Sequence, residues 1–190
     1  FRKDLKKSES ARSQGIQCPQ PASAITNIRA FIGGTAVFLV AVVLLVTHAQ
    51  GPYQSAAELL AAARIKPNAL TYGSSGAGSS NHLAMALFET ATATQMRQIP
   101  YKGSTPMLTD LAGGQFDVAL DLLPHAMPFM QSGRVRPLAI AAPKRSPLLP
   151  DVPTAAEAGI PGYEVSSWHG FVVPSGTPPS VVDKLNSDLN

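Results

Sequence analysis

The sequence predicts an α/β fold, with largely parallel strands and helices packed against them, and three observations carry that expectation. Of 190 residues, 45% are apolar and only 14% charged, a balance that supports a buried core rather than disorder. Short runs rich in Val, Ile and Leu alternate with amphipathic stretches of about ten residues, the order expected of βα units. The 15 glycines and 17 prolines fall largely between these runs, where turns are needed.

The elements follow in order. Ala30 to Val46 carries no charge over seventeen residues, and three readings compete for it. A membrane helix needs about 20 apolar residues, which makes this run marginal. A signal peptide fits Arg29, the apolar stretch and the ending Thr47-His48-Ala49. The β-branched-rich Val37–Val40 and Val42–Val46 instead suit a strand covered on both faces. "SAAELLAAARIKP" then offers Ser55 as N-cap, Glu58 three residues on and Pro67 as a stop, a capping-box helix. "ALTYG" is a short strand, and Ser79 or Ser80 caps a helix on which Leu83 and Leu87 share a face. "MRQIPY" is a strand, "TPMLTDLAGG" a helix closed by Gly113-Gly114, and "FDVALDLL" a strand. "HAMPFMQSGRV" reads as a helix closed by Gly133, "RPLAIAA" as a buried strand and "DVPTAAEAG" as a short capped helix. "YEVSSWHGFVVP" is a long strand, and "TPPSVVDKLNSDLN" opens a helix with proline in its first turn.

Charge and cysteine content narrow the function. The net charge is +3, yet residues 1–30 hold six basic and two acidic groups, leaving nine basic and ten acidic in the remainder. The polar, basic and aperiodic residues 1–29 read as a tail. A near-neutral body with 6% aromatic residues argues against a nucleic-acid partner. Cys18 is the only cysteine, which rules out an intrachain disulfide and a cysteine metal site.

The stretch most suggestive of chemistry is "LTYGSSGAGSSNHLAMALFE", from Leu70 to Glu89. Gly73, Gly76 and Gly78 allow tight turns after a strand, and the following helix aims free N–H groups and its positive end at the loop. Ser74, Ser75, Ser79 and Ser80 add hydroxyl donors. An anion suits such a site. There is no Gly-Lys-Ser/Thr, and the spacing G-x-x-G-x-G is not the dinucleotide fingerprint. Without a lysine in the loop a carboxylate fits better than a multiply charged phosphate, and a ligand-free turn stays open as the plainer reading. No G-x-S-x-G elbow or H-E-x-x-H motif occurs, so neither a catalytic residue nor a metal ligand is assigned. His82 in the first helical turn suits a surface position or an indirect donor role. Asp121, at a strand C-terminus four residues after Asp117, is either a strand-end polar group or a ligand contact. Trp168 suits the core.

Three stretches in order resemble the Bug-type receptors of tripartite tricarboxylate transporters: "ELLAAARIKPNALTYGSSGAGSSNHLAMALF", "IPYKGSTPMLTDLAGGQFDVALDLL" and "GRVRPLAIAAPKRSPLLPDVPTAAEAGIPGYEVSSWHGFVVPSGTPPSVVDKLN". The resemblance spans roughly residues 37–190. It implies a type II periplasmic binding protein-like fold, in which two α/β lobes close on a small organic acid without catalysis or cofactor. It further implies carboxylate contacts from Gly73 to His82, among them Ser74, Ser75, Gly76, Gly78, Ser79 and His82. Tyr101, Lys102, Gly103 and Asp121 are implied beside the same cleft.

Residues 1–30 match nothing in that family's first lobe, so the chain reads as an N-terminally truncated member. The expected organisation is a tail over 1–36 and a partial solute-binding domain over 37–190. Within it the second lobe covers roughly 70–165, and a return to the first lobe roughly 166–190. The family also has a buried strand just before the "ELLAAA" helix, which favours the strand reading of the apolar run. The expected function is a periplasmic receptor for di- or tricarboxylates, or a non-functional remnant of one, whose partners are the organic acid and the transporter's membrane subunits. The alternative is an enzyme using the Gly/Ser loop as an anion or oxyanion cradle.

Overall fold

The computed structural model describes residues 39–169, 173–174 and 176–189. The tail and the first part of the apolar run, including Val37 and Phe38, lie outside these residues. The chain divides into two units, one over Leu39–His169 and one that includes Gly170–Asn190.

The first unit has β1 (Leu39–His48), α1 (Ala56–Ile65), β2 (Thr71–Ser74), α2 (Ser80–Thr92), β3 (Arg97–Pro100) and α3 (Ser104–Ala112). It continues with β4 (Val118–Leu122), α4 (Leu123–Gln131), β5 (Val135–Ile140) and β6 (Ser166–His169). In the second unit α5 (Pro179–Leu189) opens on its proline as expected. Among the described residues no helix is long and apolar enough to cross a membrane.

The α/β class holds, but the sheet is mixed rather than largely parallel. Its order is β3-β2-β4-β1-β5, with β6 also pairing β1. Only β2–β3 and β2–β4 are parallel, whereas β1 runs antiparallel to β4, β5 and β6. Hydrophobic patterning is blind to strand direction, which is why the sequence missed this.

From Leu39 onward the strand reading of the apolar run is correct, and the packing explains why it lacks alternation. Val43 and Leu45 join the cluster under α1 and α2, with Leu59, Met85 and Phe88. Leu44 and Val46 join the opposite cluster under α3 and α4, with Met107, Leu111 and Ala126. Successive side chains point to opposite faces, and helices cover both, so every position must be apolar. β5 is an edge strand, where Pro137 costs no shared hydrogen bond, and the register against β1 shifts between Leu45 and Val46 beside it.

Local signals worked where backbone chemistry decides. Ser55 caps α1 and accepts the Glu58 N–H, while the Glu58 carboxylate reaches back to the Gln54 N–H. Three expectations fail. The long strand expected over 163–174 shortens to β6, and 163–165 lie outside any strand. "DVPTAAEAG" forms a turn rather than a helix: the Thr154 hydroxyl accepts the Glu157 N–H and the Glu157 carboxylate accepts the Thr154 N–H, but Gly159, at φ +89°, ends the run. On α2, Leu83 and Leu87 do share a face, but it is the exposed one, at 60% and 47%. The helix buries Asn81, Ala84, Met85, Phe88 and Thr92 instead.

Candidate functional site

Two strand-to-helix crossings meet around a small pocket. One runs from β2 into α2 through Ser75–Ser79. The other passes from β4 into α4, where Leu123 follows Leu122 with no intervening loop. The pocket, about 50 Å³, is lined by Ser80, Asn81, Asp121, Ser166 and Ser167 and by apolar neighbours that include Ala84 and Leu120.

The β2–α2 loop is held mostly by itself. Ser75 donates both its N–H (3.1 Å) and its hydroxyl (2.8 Å) to Asn81 Oδ1. The Ser79 hydroxyl lies 2.6 Å from the Gly76 carbonyl and 2.7 Å from Asn81 Oδ1, with one proton for either, and it accepts the His82 N–H as the α2 N-cap. The Gly78 N–H donates to His82 Nδ1 at 2.9 Å, which makes Nδ1 an acceptor and puts the neutral ring's proton on Nε2. The His82 ring stacks on Tyr72, centroids 6.5 Å apart. Gly76 and Gly78 take φ of +128° and +78°, and an added Cβ would meet nothing closer than 3.8 Å. Backbone conformation, not crowding, requires glycine at both. Gly73 is the reverse: its Cβ would sit 2.4 Å from Phe116 Cζ.

Of the four serines expected as donors, three are engaged within the protein. Ser74 is fully buried and its hydroxyl accepts the Gln98 side-chain amide at 2.7 Å. Ser75 and Ser79 hold the loop. Ser80 alone of the four lines the pocket. Among the described residues the backbone N–H groups of Ser80 and Asn81 remain as donors beside the Ser80 hydroxyl, since no intrahelical carbonyl can reach them. The Tyr101 N–H donates to the Ser74 carbonyl at 2.8 Å, which brings the turn Tyr101-Lys102-Gly103 against the end of β2. Burial, then the Asp110 carboxylate, push the Tyr101 phenol up to about 12. Lys102 is exposed, and Gly103, at φ +116°, opens α3.

Asp121 is the next-to-last residue of β4 and is 4% exposed. Its Oδ1 accepts the Leu122 N–H at 2.7 Å and lies 3.0 Å from His125 Nδ1. Its Oδ2 is buried with no partner among the described residues. Asp117 plays a different part, since its carboxylate accepts the Thr71 N–H and hydroxyl and so ties β2 to β4. Among the described residues no group of three His, Cys, Asp or Glu side chains could hold a metal ion.

Sequence reading overlooked Asn81, which clasps the loop, and Ser166 and Ser167, which reach the pocket from β6. Asn81 sits two residues after its N-cap, where a buried amide could have been suspected. The β6 serines carry no local signal, because their place follows from pairing with β1.

A family model described as tripartite tricarboxylate transporter family receptor matches residues 29–190. The chain is 40% identical over 148 residues to a UPF0065 protein from the tcbD-tcbE intergenic region of Pseudomonas sp. strain P51, covering 77% of this chain and 44% of that protein. It is 35% identical over 147 residues to Protein BugT of Bordetella pertussis, covering 77% and 45%. Among solved structures, R. palustris Rpa4515 with adipate superposes at a TM-score of 0.76 with 43% identity, covering 82% of this chain and 52% of that one. MatC of Rhodopseudomonas palustris with bound malate gives 0.72 and 33%, covering 88% and 59%. The periplasmic binding protein BugD gives 0.73 and 32%, covering 82% and 52%. The chain thus spans about half the length of these relatives. The matching family model describes a receptor, and BugD is a periplasmic binding protein.

Proposed function

Because this chain belongs to the tripartite tricarboxylate transporter receptor family, we propose that it serves as part of a periplasmic receptor that binds small di- or tricarboxylates and presents them to the membrane subunits of such a transporter. The observation that carries this reading is the head of α2. Its N-cap and loop are fixed by Ser79, Asn81 and His82, and its first two residues, Ser80 and Asn81, line a pocket. A helix start held in place supplies donors and a positive dipole end to an anion without spending a charged side chain. Adipate in one neighbour and malate in another agree in chemical class.

In this reading residues 70–165 form the second lobe, and Gly76, Gly78, Ser74 and Ser75 shape the loop. Ser79 and His82 fix the helix start, and the Tyr101-Lys102-Gly103 turn and Asp121 border the ligand. A receptor of this kind needs only unequal affinity of its open and closed forms for the ligand.

The test is an amide-resolved NMR titration of the chain with citrate, succinate, malate and adipate, against ATP and inorganic phosphate. The expected result is saturable shifts at Ser80 and Asn81 with carboxylates and none with ATP. Shifts by phosphate or ATP at equal or lower concentration would overturn it, as would none with any acid.

A further inference from the structure

The pocket at the head of α2 has a donor side and an acceptor side. We propose that it selects acids carrying a hydrogen-bond donor beside the carboxylate, a hydroxy or amino acid, over plain dicarboxylates. This rests on the carboxylate reading above and narrows it.

The acceptor side is Asp121. Its Oδ1 is filled by the Leu122 N–H and His125, while Oδ2 is buried and has no partner among the described residues. The side chain lines the same pocket as Ser80 and Asn81. A buried polar atom ordinarily finds a partner, so an orphaned carboxylate oxygen on a residue that lines a pocket points to a donor brought from outside. A ligand carboxylate pressed against it would set two anions together, which is unfavourable unless a proton lies between them. A hydroxyl or an ammonium on the adjacent carbon supplies that proton, while the ligand's carboxylate takes the Ser80 and Asn81 N–H groups.

Size agrees with this division. About 50 Å³ holds the end of an acid rather than the whole of it. The Ser80, Ser166 and Ser167 hydroxyls on the same wall can donate or accept and do not disturb the selection. His125 reinforces it: held on Oδ1, it fixes the carboxylate so that Oδ2 cannot rotate away to a better partner.

The experiment compares malate, aspartate and succinate, which share a four-carbon dicarboxylate frame, by NMR titration of the full chain and of Asp121→Asn. The substituted amide keeps an oxygen for the Leu122 N–H and replaces Oδ2 by a donor. Unchanged amide shifts away from the pocket report that the variant is folded. With Asp121 present, malate and aspartate should bind about tenfold more tightly than succinate, the worth of one charge-assisted hydrogen bond. In Asp121→Asn that preference should collapse to parity through a gain for succinate. A preference for aspartate over malate would identify an ammonium as the favoured donor. Succinate binding as tightly as malate and aspartate to the unaltered chain would overturn the inference and leave the carboxylate reading standing. A preference that survives Asp121→Asn would overturn it as well. Silence of Ser80 and Asn81 to all three acids would overturn the underlying reading and this inference together.

Discussion

The two crossings that flank the pocket differ in the inverse of what their sequences suggest. The β2–α2 loop is rich in glycine and serine, and it spends most of its polar groups on itself: Asn81 Oδ1 takes Ser75 twice, His82 takes Gly78, and Ser79 caps the helix. The β4–α4 crossing is the plain run "VALDLLPHA", with no loop and no side-chain cap, yet it holds the buried oxygen that has no partner among the described residues. Loop composition measures how hard a turn is to build. Unsatisfied polarity measures what is left for a ligand, and here the two sit on different elements.

Five substitutions and one change of condition test that division. The largest effect belongs to Gly73→Val at the foot of the glycine loop, where even a Cβ would lie 2.4 Å from Phe116 and 2.7 Å from Met107. It should cost about 3 kcal/mol by urea unfolding. A variant as stable as the parent would mean that those two side chains can move aside. Next, Asn81→Ala should cost about 2 kcal/mol by leaving the Ser75 donors unpaired, and hydrogen exchange over Ser75–Ser79 should quicken. On the other crossing Asp121→Asn should stay within about 1 kcal/mol of the parent, because it keeps the Oδ1 acceptor and removes a buried charge. If the Asp121 change proved the more damaging of the two, the comparison would be inverted.

Ser79→Ala should cost about 1 kcal/mol through loss of the α2 cap, whereas Ser80→Ala should leave the melting temperature nearly unchanged. Equal losses at both positions would mean that the cap is shared.

The smallest and most diffuse effect is alkaline. All four tyrosines, Tyr53, Tyr72, Tyr101 and Tyr163, have phenols raised above their ordinary value, with burial the largest cause in each. A raised phenol favours the neutral form in the folded state. Its contribution is therefore present below pH about 10 and is lost as the pH climbs through the folded values, about 12 for Tyr101. Melting temperature should fall across that window, together with a delayed phenolate absorbance. Phenolate appearing at the pH of free tyrosine in a still-folded chain would contradict it.

Legibility followed the range of the interaction. The cap of α1, the glycine stops after α3 and α4 and the helix start beyond Gly78 depend on a few neighbouring residues, and all could be read along the chain. The run Val43–Val46 could be read as a two-sided strand because helices cover both faces of it. Leu83 and Leu87 marked a face of α2 correctly but not its destination, since Ala84, Met85 and Phe88 fit against Tyr163 and the sheet instead: Tyr163 lies edge-on to Phe88 and donates its hydroxyl to the Ala84 carbonyl.

By itself, then, the sequence determined the class of fold, most of its elements and a helix start suited to an anion, because periodicity, capping and glycine conformation are local physics. Tertiary structure alone decided that β1 runs antiparallel through the middle of the sheet. It alone decided that three of the four serines are already engaged and that Asp121, a pocket residue, keeps a buried oxygen with no partner among the described residues. Those outcomes depend on which strands become neighbours, and neighbours far apart in the chain leave no periodic trace in either segment.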